Sequence, residues 1–246
     1  MNNKFKIVVA LYNVEKYIGT TIKSVLGQTY SDYECILIND KSTDKSLDIC
    51  KELVEKNPKF KIVDNQNKKC SLENIYDTIH AHTDGEDIVV ILDGDDFLAS
   101  RTTLEELNTV YSKEDCWLTY GSYINLSNRL RGKFAKQIPY NIIENNQFRD
   151  YEWCTSHLRS FKSFLFKEIK KESLCDTEGL FYTFAGDLAI MFPLLELARQ
   201  KSTYIDKILY VWNDLNILNE HKRDNTKQML IEKAIRGRKK YARYNK

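Results

Sequence analysis

The stretch Asp87-Ile88-Val89-Val90-Ile91-Leu92-Asp93-Gly94-Asp95-Asp96 combines a short apolar run with a cluster of acids directly after it. A continuous apolar run of this length, ended by acids and glycine, is typical of a strand with both faces buried, as in a parallel sheet. The sequence therefore predicts an inner strand over Asp87–Leu92 with carboxylates at its carboxyl end.

Strands and amphipathic helices alternate through the first half of the chain. The other predicted strands are Phe5–Leu11, Cys35–Ile38 and the weaker Phe60–Val63. Apolar side chains at helical spacing indicate helices over Val14–Leu26, Leu47–Val54 and Ser71–His80. This order predicts βαβ units with right-handed crossovers, and so an α/β fold with a Rossmann-like, mostly parallel sheet flanked by helices.

The second half of the chain has a less regular pattern. Predicted elements are strands at Trp117–Tyr120 and Ile208–Trp212, a long loop region over residues 121–150, an apolar helix over Leu188–Ala198 and a charged helix over Thr226–Tyr244. Because no low-complexity linker separates the halves, both are expected to belong to one domain.

Composition places the chain among globular proteins and excludes several functions. It has 246 residues and a mass of 28.9 kDa, with 42% hydrophobic and 29% charged residues. Lys and Arg number 37 against 35 Asp and Glu, and a formal net charge of +2 argues against a nucleic-acid partner. No apolar run has the length of a bilayer span, about 20 residues, or of a signal-peptide core. A cytoplasmic location is therefore expected, with the cysteines as reduced thiols.

Polar residues follow three predicted strands at the edge where open α/β sheets bind ligands. They are Tyr12-Asn13, Asn39-Asp40 and Asp93–Asp96, in which Gly94 would let a ligand approach the backbone. Three carboxylates within four residues repel one another unless a hard cation binds among them or water solvates the turn. The turn is therefore either a Mg²⁺ or Mn²⁺ site that holds a diphosphate, or an acidic surface turn. The glycine-rich loops that cradle phosphate elsewhere are absent from the sequence.

Four separated blocks of sequence resemble the opening of a family 2 glycosyltransferase. In order they are Val9–Ile18, Ser24–Tyr30, Ile38–Ser46 and Asp93–Asp96, within about the first 100 residues. Two positions depart from the family pattern, because Ala10-Leu11 replaces a proline and Asn39 replaces the first of two acids. The resemblance implies a GT-A fold, a nucleotide-sugar donor, most often a UDP-sugar, and Mn²⁺ or Mg²⁺ as the cofactor.

The resemblance also implies roles for residues of the first half. The nucleotide sugar would be bound by Ala10, Tyr12, Glu15, Asp40, Asn67, Lys69, Asn74, Asp93 and Gly94. Within this set Asp40 would bond the base edge and Asp93 the ribose or the sugar, while Asp95 would bind the metal. Residues 1–100 would form a nucleotide-sugar-binding βαβ half, residues 101–224 the acceptor-side half of the same domain, and residues 225–246 a basic C-terminal helix.

The second half contributes candidate acceptor-side and catalytic residues. Trp153, His157 and Arg159 resemble an acceptor-side segment, because a Trp ring can stack on a sugar and the other two can bond hydroxyls or phosphate. A partly buried helix start is the structural alternative. The resemblance implies that the catalytic base is an acid at the start of an apolar helix, here Asp187, with the compatible alternative of a helix N-cap.

The end of the chain contains a further candidate metal ligand and a basic tail. The resemblance implies that His221 closes over the metal and that Lys222 meets the diphosphate, although a single histidine is more often structural. The tail Lys233–Lys246 holds seven basic residues and no acid. It fits a solvated helix face or, as the less favoured interpretation, weak peripheral contact with an anionic membrane surface or a lipid-linked acceptor.

Together these features predict a metal-dependent, inverting glycosyltransferase of the hexosyltransferase type. Its acceptor would be a glycan, a lipid-linked carrier or a protein side chain, and a homodimer is a candidate assembly. Two alternatives stay open: a nucleotidyltransferase with a related sheet, and a non-catalytic nucleotide-sugar or glycan-binding module of the same fold.

Overall fold

The structure is a computed structural model that describes residues 3–113, 115–218 and 224–245. In this part of the chain an eight-stranded sheet carries helices on both faces. The strands are β1 Phe5–Leu11, β2 Tyr33–Asn39, β3 Phe60–Asp64, β4 Ile88–Asp93, β5 Phe97–Leu98, β6 Leu118–Asn125, β7 Arg159–Lys162 and β8 Ser202–Trp212. The helices are α1 Ile18–Leu26, α2 Ser46–Val54, α3 Ser71–His82, α4 Thr103–Lys113, α5 Tyr140–Glu144, α6 Ser163–Lys167, α7 Gly186–Ala198 and α8 Asn225–Arg236. Short 3₁₀ turns lie at Lys171–Leu174 and Arg199–Lys201.

The sheet is parallel on one side and mixed on the other. Its strand order is β3-β2-β1-β4-β7-β6-β8-β5. Strands β3, β2, β1 and β4 pair in parallel, whereas β7 runs antiparallel to both β4 and β6. Strand β8 is parallel to β6 and antiparallel to β5. The strand–helix alternation of the first half therefore produces the parallel arrangement that the sequence predicts.

Register brings the polar strand ends together at one edge of the sheet. Ala10 of β1 pairs with Asp93 of β4, and Leu11 of β1 pairs with Asn39 of β2. Since the chain leaves all three strands at this edge, the loops that follow them share one side of the molecule.

Both faces of the central strands are buried, which explains their continuous apolar sequences. Ile7 and Val9 of β1 pack with residues of α1, α2 and α4 on one face, while Val8 packs with residues of α3, α6 and α7 on the other. Burying one such side chain contributes about 1.5–3 kcal/mol. The central strands are therefore a firm base for the loops at their carboxyl edge.

Helix α7 is apolar on all sides and lies inside the protein. Its residues Leu188–Ala198 are all buried, including Glu196. The Glu196 carboxylate accepts hydrogen bonds from Arg149, at 2.5 Å from Nε and 3.0 Å from Nη2, and from the backbone N–H of Tyr241 at 2.9 Å. The buried Glu196 therefore connects α7 both to Arg149 and to the C-terminal segment at Tyr241.

The predicted loop over residues 121–150 is wrong in part. Strand β6 continues to Asn125, beyond the predicted Tyr120, and α5 occupies Tyr140–Glu144. Helix α5 has only five residues and none of them is buried, so it has no apolar periodicity that sequence analysis could detect.

The predicted helix over Thr226–Tyr244 is wrong in its second half, because α8 ends at Arg236. Gly237 follows the last helical residue, a usual position for a helix end, and its N–H bonds to the Lys233 carbonyl at 3.1 Å. The described residues 237–245 are not helical, and the Tyr244 N–H donates to the carbonyl of Leu197 at 3.0 Å. Among the described helices none is long and apolar enough to cross a membrane. Membrane contact through the tail stays a prediction.

Candidate active site

A cavity of about 1460 Å³ opens at the carboxyl edge of β1, β2 and β4. Residues from the loops after these strands, from the start of α7 and from the segment after β8 line it. Most of the predicted site residues are among them: Ala10, Tyr12, Asp40, Lys69, Asp93, Gly94, Asp95, Trp153, His157, Arg159 and Asp187. The fold therefore brings residues of both halves of the chain to one place.

The last acid of the turn after β4 belongs to the framework of the site. Asp96 is buried, and its carboxylate accepts hydrogen bonds from the Tyr210 hydroxyl at 2.6 Å and from the Asn213 backbone N–H at 2.7 Å. Burial raises the pKa of Asp96 well above its usual range, and the carboxylates of Asp95 and Asp93 add to the rise. Asp96 thus joins the turn Asp93–Asp96, called the acid turn below, to the end of β8.

Asp95 has a different environment from Asp96. Its Oδ2 accepts a hydrogen bond from Nδ2 of Asn216 at 2.7 Å, and the residue lines the cavity. Burial raises the pKa of Asp95 to about 6, against the lowering effect of the Asn216 bond, and the charge of Asp93 adds to the rise. A cation bound at this turn would offset the cost of burying the charged Asp95 carboxylate and the repulsion between Asp95 and Asp93.

Gly94 is required by the packing of the turn. A Cβ atom at this position would lie 2.7 Å from Cβ of Leu11 and 3.0 Å from the carbonyl oxygen of Ala10. Real Cβ atoms do not approach so closely, so only glycine lets the turn lie against β1. Gly94 also lines the cavity, and its expected contact with the donor stays a prediction.

A group of candidate metal ligands includes two of these acids. One ligand atom each from Asp93, Asp96 and His157 lies within 4.8 Å of the others. His157 is buried, and its ring stacks on Tyr210 with centroids 4.4 Å apart. Burial and the charge of Arg159 lower the pKa of His157 well below its usual range, so the imidazole is neutral, as a metal ligand must be. Carboxylate oxygens and a neutral imidazole are both common metal ligands, so the group could hold a metal ion.

The sequence predicts Asp95 and His221 as metal ligands, whereas this group contains His157 and two other acids of the turn. His157 reaches the acids because β7, which begins two residues later, pairs antiparallel with β4. That pairing joins distant parts of the chain and has no local signal. His221 and Lys222 lie outside the described residues.

Arg159 lies between two acids of the site. Its Nη2 is 3.6 Å from Oδ2 of Asp93, and its Nη1 is 3.7 Å from Oδ2 of Asp187. The arginine side chain is 5% exposed, and the acids are 37% and 31% exposed. Its Nε is buried without a hydrogen-bond partner among the described residues. The sequence predicts Arg159 on the acceptor side, and the structure places it at the junction of the acid turn and α7.

Asp187 lies in the first turn of α7. The helix is preceded by Ala185, in the left-handed conformation with φ 53°, and no side chain caps it. Asp187 is therefore not the N-cap, which was its structural alternative. Its Oδ1 accepts the N–H of Leu188 at 2.9 Å. Burial raises the pKa of Asp187, and the charge of Arg159 opposes the rise.

Asp40 forms a polar cluster after β2. Its Oδ1 accepts the N–H of Lys69 at 2.8 Å and Nδ2 of Asn65 at 3.2 Å, and Asn65 also donates to Oδ1 of Asn74 at 2.7 Å. Sequence analysis missed Asn65, although its place directly after the third strand was a usable signal. Asn39, which departs from the family pattern, donates a hydrogen bond from Nδ2 to Oδ1 of Asp64 on β3 at 2.7 Å.

Tyr12 presents its ring to the cavity, and the ammonium of Lys68 lies over that ring. Lys68 is a second residue that sequence analysis missed. Glu15 and Asn67 lie outside the cavity wall that the described residues form. Glu15 accepts the N–H of Lys45 at 3.0 Å at the start of α2, and Asn67 is exposed. With Asn74, which is buried behind Asn65, they stay predictions.

Aromatic side chains line the part of the cavity that the second half of the chain forms. Trp153 packs edge-to-face on Phe192, with centroids 5.7 Å apart, and Trp212 and Phe134 also line the cavity. Such rings offer flat faces to a sugar. Trp212 and Phe134 were not predicted, because they are widely separated in the sequence and carry no motif.

Comparison with known proteins defines the class of this protein. The sequence model of the family described as Glycosyl transferase family 2 matches residues 6–170. The chain therefore belongs to glycosyl transferase family 2, which confirms the family and the enzyme class predicted from the motifs.

Curated relatives include an uncharacterized glycosyltransferase from Haemophilus influenzae, 30% identical over 176 residues that cover 68% of this chain and 67% of the relative. Glycosyltransferase GlyG from Streptococcus pneumoniae is 27% identical over 224 residues, 86% of this chain and 71% of GlyG. Glycosyltransferase GlyA from the same species is 24% identical over 230 residues, which cover 86% of this chain but 31% of GlyA.

Solved structures share the fold. TarS 1–349 from S. aureus, in complex with UDP-GlcNAc, superposes with a TM-score of 0.66 at 18% identity, covering 87% of this chain and 59% of that one. The mannosyltransferase PcManGT from Pyrobaculum calidifontis, in complex with GDP-Man and Mn²⁺, has a TM-score of 0.61 at 16% identity, covering 98% and 66%. The predicted GT-A fold is thereby confirmed.

Proposed function

We propose that the protein transfers a sugar from a UDP-sugar to an acceptor hydroxyl, with inversion at the anomeric carbon and with the help of a divalent cation. The observation that carries the proposal is the position of Arg159 between Asp93 and Asp187. The acid expected to hold the donor and the acid expected to activate the acceptor face one guanidinium, so the two substrates would meet there.

The donor site would be formed by the ends of β1, β2 and β4. Asp40 and Tyr12 line the cavity at the ends of two neighbouring strands, where a carboxylate can bond the edge of a base and a ring can stack on its face. Two proteins of the same fold were solved with nucleotide sugars, UDP-GlcNAc and GDP-Man, which supports a donor of this class.

Asp187 would act as the general base. Burial raises the pKa of its carboxyl, which makes the ionised carboxylate a stronger base, while the charge of Arg159 keeps it ionised. As the proton moves to Asp187, the acceptor oxygen forms its bond to the anomeric carbon on the face opposite the nucleotide. The bond to the diphosphate oxygen breaks, and its electron pair leaves with the nucleoside diphosphate.

Asp93, Asp95, Asp96 and His157 are the residues that would hold Mn²⁺ or Mg²⁺. Their donor set fits such an ion, because the charge of Asp93 raises the pKa of Asp95, both of these acids raise the pKa of Asp96, and burial keeps the imidazole neutral. When bound, the cation would stabilise charge that develops on the diphosphate oxygens.

The acceptor would enter from the side that Trp153 and Trp212 line. A hydroxyl of a glycan, of a lipid-linked carrier or of a protein side chain has the chemistry that Asp187 can activate, and a sugar ring next to that hydroxyl would stack on the indoles.

A screen for nucleotide release tests the proposal, because hydrolysis of the donor by water needs no acceptor. The protein is incubated with UDP- and GDP-sugars, with Mn²⁺, with Mg²⁺ or with EDTA, and the products are identified by mass spectrometry. We expect UDP release that requires the cation, and NMR of the released sugar should show an inverted anomeric configuration. Release of a nucleoside monophosphate would instead indicate a nucleotidyltransferase, and tight UDP binding without any turnover would indicate a binding module.

A further inference from the structure

The segment Asn213-Asp214-Leu215-Asn216-Ile217-Leu218, directly after β8, folds into two successive turns of the same kind. In each turn an asparagine side-chain oxygen accepts the backbone N–H two residues later. Asn213 accepts from Leu215 at 3.1 Å, and Asn216 accepts from Leu218 at 3.0 Å. The segment lies outside the part of the chain that the family model matches.

The turn at Asn216 determines which way its amide faces. Because Oδ1 accepts the Leu218 N–H, the amide nitrogen must point in the opposite direction, and Nδ2 donates to Oδ2 of Asp95 at 2.7 Å. Asn216 is 6% exposed, so this arrangement is protected from water. The preceding turn contributes a parallel contact, since the N–H of Asn213 donates to Asp96 at 2.7 Å.

We propose that Asn216 is a positioning residue that orients the Asp95 carboxylate for a divalent cation and, through it, for the donor diphosphate. The inference rests on the proposed function, since it assumes that Asp95 takes part in metal binding. A carboxylate has about four acceptor positions, so the bond from Asn216 fixes the rotation of the group and leaves capacity for a cation.

The chemistry of an amide suits this task better than that of a cation. A lysine or arginine at this place would neutralise Asp95 and compete with the metal for it, whereas an amide N–H holds the ionised carboxylate without adding charge. Groups that hydrogen-bond a metal-binding carboxylate orient it, and removing them typically weakens metal affinity 10–100-fold.

Two substitutions separate the bond to Asp95 from the turn itself. Asn216→Ala removes both contacts. Asn216→Ser keeps a hydroxyl that can accept from the backbone in a similar turn, but that hydroxyl lies one bond short of the position of Nδ2. Asn57→Ala is the matched control, because Asn57 accepts the Lys59 N–H at 3.0 Å in the same kind of turn, outside the described cavity wall.

The affinity for Mn²⁺ in the presence of UDP is measured from the electron paramagnetic resonance signal of the free ion. We expect both Asn216 variants to bind Mn²⁺ about 10–100-fold more weakly than the wild type, and the control to bind as the wild type does. Uridine affinity without metal should stay unchanged in all of them, which a general collapse of the site would not allow. If Asn216→Ala fails to fold, Asn216→Ser carries the test.

Wild-type Mn²⁺ affinity in Asn216→Ser would overturn the inference and leave the proposed function standing. If the wild-type protein itself binds neither Mn²⁺ nor Mg²⁺ beside UDP, the metal-dependent part of the proposed function fails, and the inference fails with it. The two failures are therefore distinguishable.

Discussion

Nη1 of Arg159 lies 3.7 Å from Oδ2 of Asp187, and the guanidinium that makes this contact is almost completely buried. Nη2 of the same guanidinium lies 3.6 Å from Oδ2 of Asp93. Both separations are longer than a hydrogen bond, and the guanidinium therefore acts on the two acids through its charge. A single buried cation thus links the acid turn of the first half to the helix that carries the expected base.

Replacing Arg159 should lower turnover more than donor affinity. In Arg159→Met the two carboxylates lose their shared counter-charge, and we expect kcat of transfer to fall about 100-fold with KM for the donor changed only a few-fold. Arg159→Lys keeps the charge but loses the planar fork, so it should recover part of kcat. Steady-state kinetics with both variants measure this, and equal losses in Met and Lys variants would show that charge is not the cause.

Asp187→Asn should remove the base and leave donor binding intact. We expect kcat to fall by a factor of about 10²–10⁴, the usual contribution of a general base, with unchanged UDP affinity by calorimetry. Asp48→Asn, the same change on the exposed face of α2, is the control and should have wild-type rates. Turnover that survives in Asp187→Asn together with weakened donor binding would take Asp187 out of the base role.

Asp95→Asn should stabilise the metal-free protein at neutral pH. The pKa of Asp95 is about 6 in the folded protein against 3.8 for an ordinary Asp, so the folded state keeps a proton that the unfolded chain has lost between these values. Wild-type stability therefore falls as pH rises from about 4 to about 6, and Asn at this position avoids the loss. Allowing for solvent access, we expect a gain of about 1–2 kcal/mol at pH 7.

Thermal melts of both proteins in EDTA, at pH 4 and pH 7, check this expectation. The difference in Tm should be small at pH 4 and reach several degrees at pH 7. With Mn²⁺ and UDP added, the difference in Tm between the two proteins should become smaller or change sign, because only the wild type gains stability from the bound cation. A variant less stable than the wild type at pH 7 without metal would contradict the assigned environment of Asp95.

Arg149→Met should destabilise the fold strongly. The pair Arg149–Glu196 is 2% and 0% exposed, and removing one partner leaves a buried charge that costs about 3–5 kcal/mol. Lys136→Met is the matched control, since Lys136 and Glu152 are 56% and 54% exposed and such a pair contributes less than about 1 kcal/mol. Urea unfolding measures both, and similar losses would show that burial is not the reason.

Sequence alone determined the parallel half of the sheet, the place of the acid turn and the family. Those features are local: an apolar run encodes a buried strand, and an open sheet binds ligands where its parallel strands end. Asp40, Asp93, Asp95 and Asp187 could therefore be predicted as site residues from motifs and strand ends, and all four line the cavity.

Only the tertiary structure decided how these acids are held. The antiparallel pairing of β7 with β4 brings His157 and Arg159 to the acid turn, and the end of β8 and the segment after it supply Tyr210 and Asn216 from more than 100 residues away in sequence. Contacts between distant segments depend on how helices and strands pack in three dimensions. A linear pattern of residues carries no signal for them.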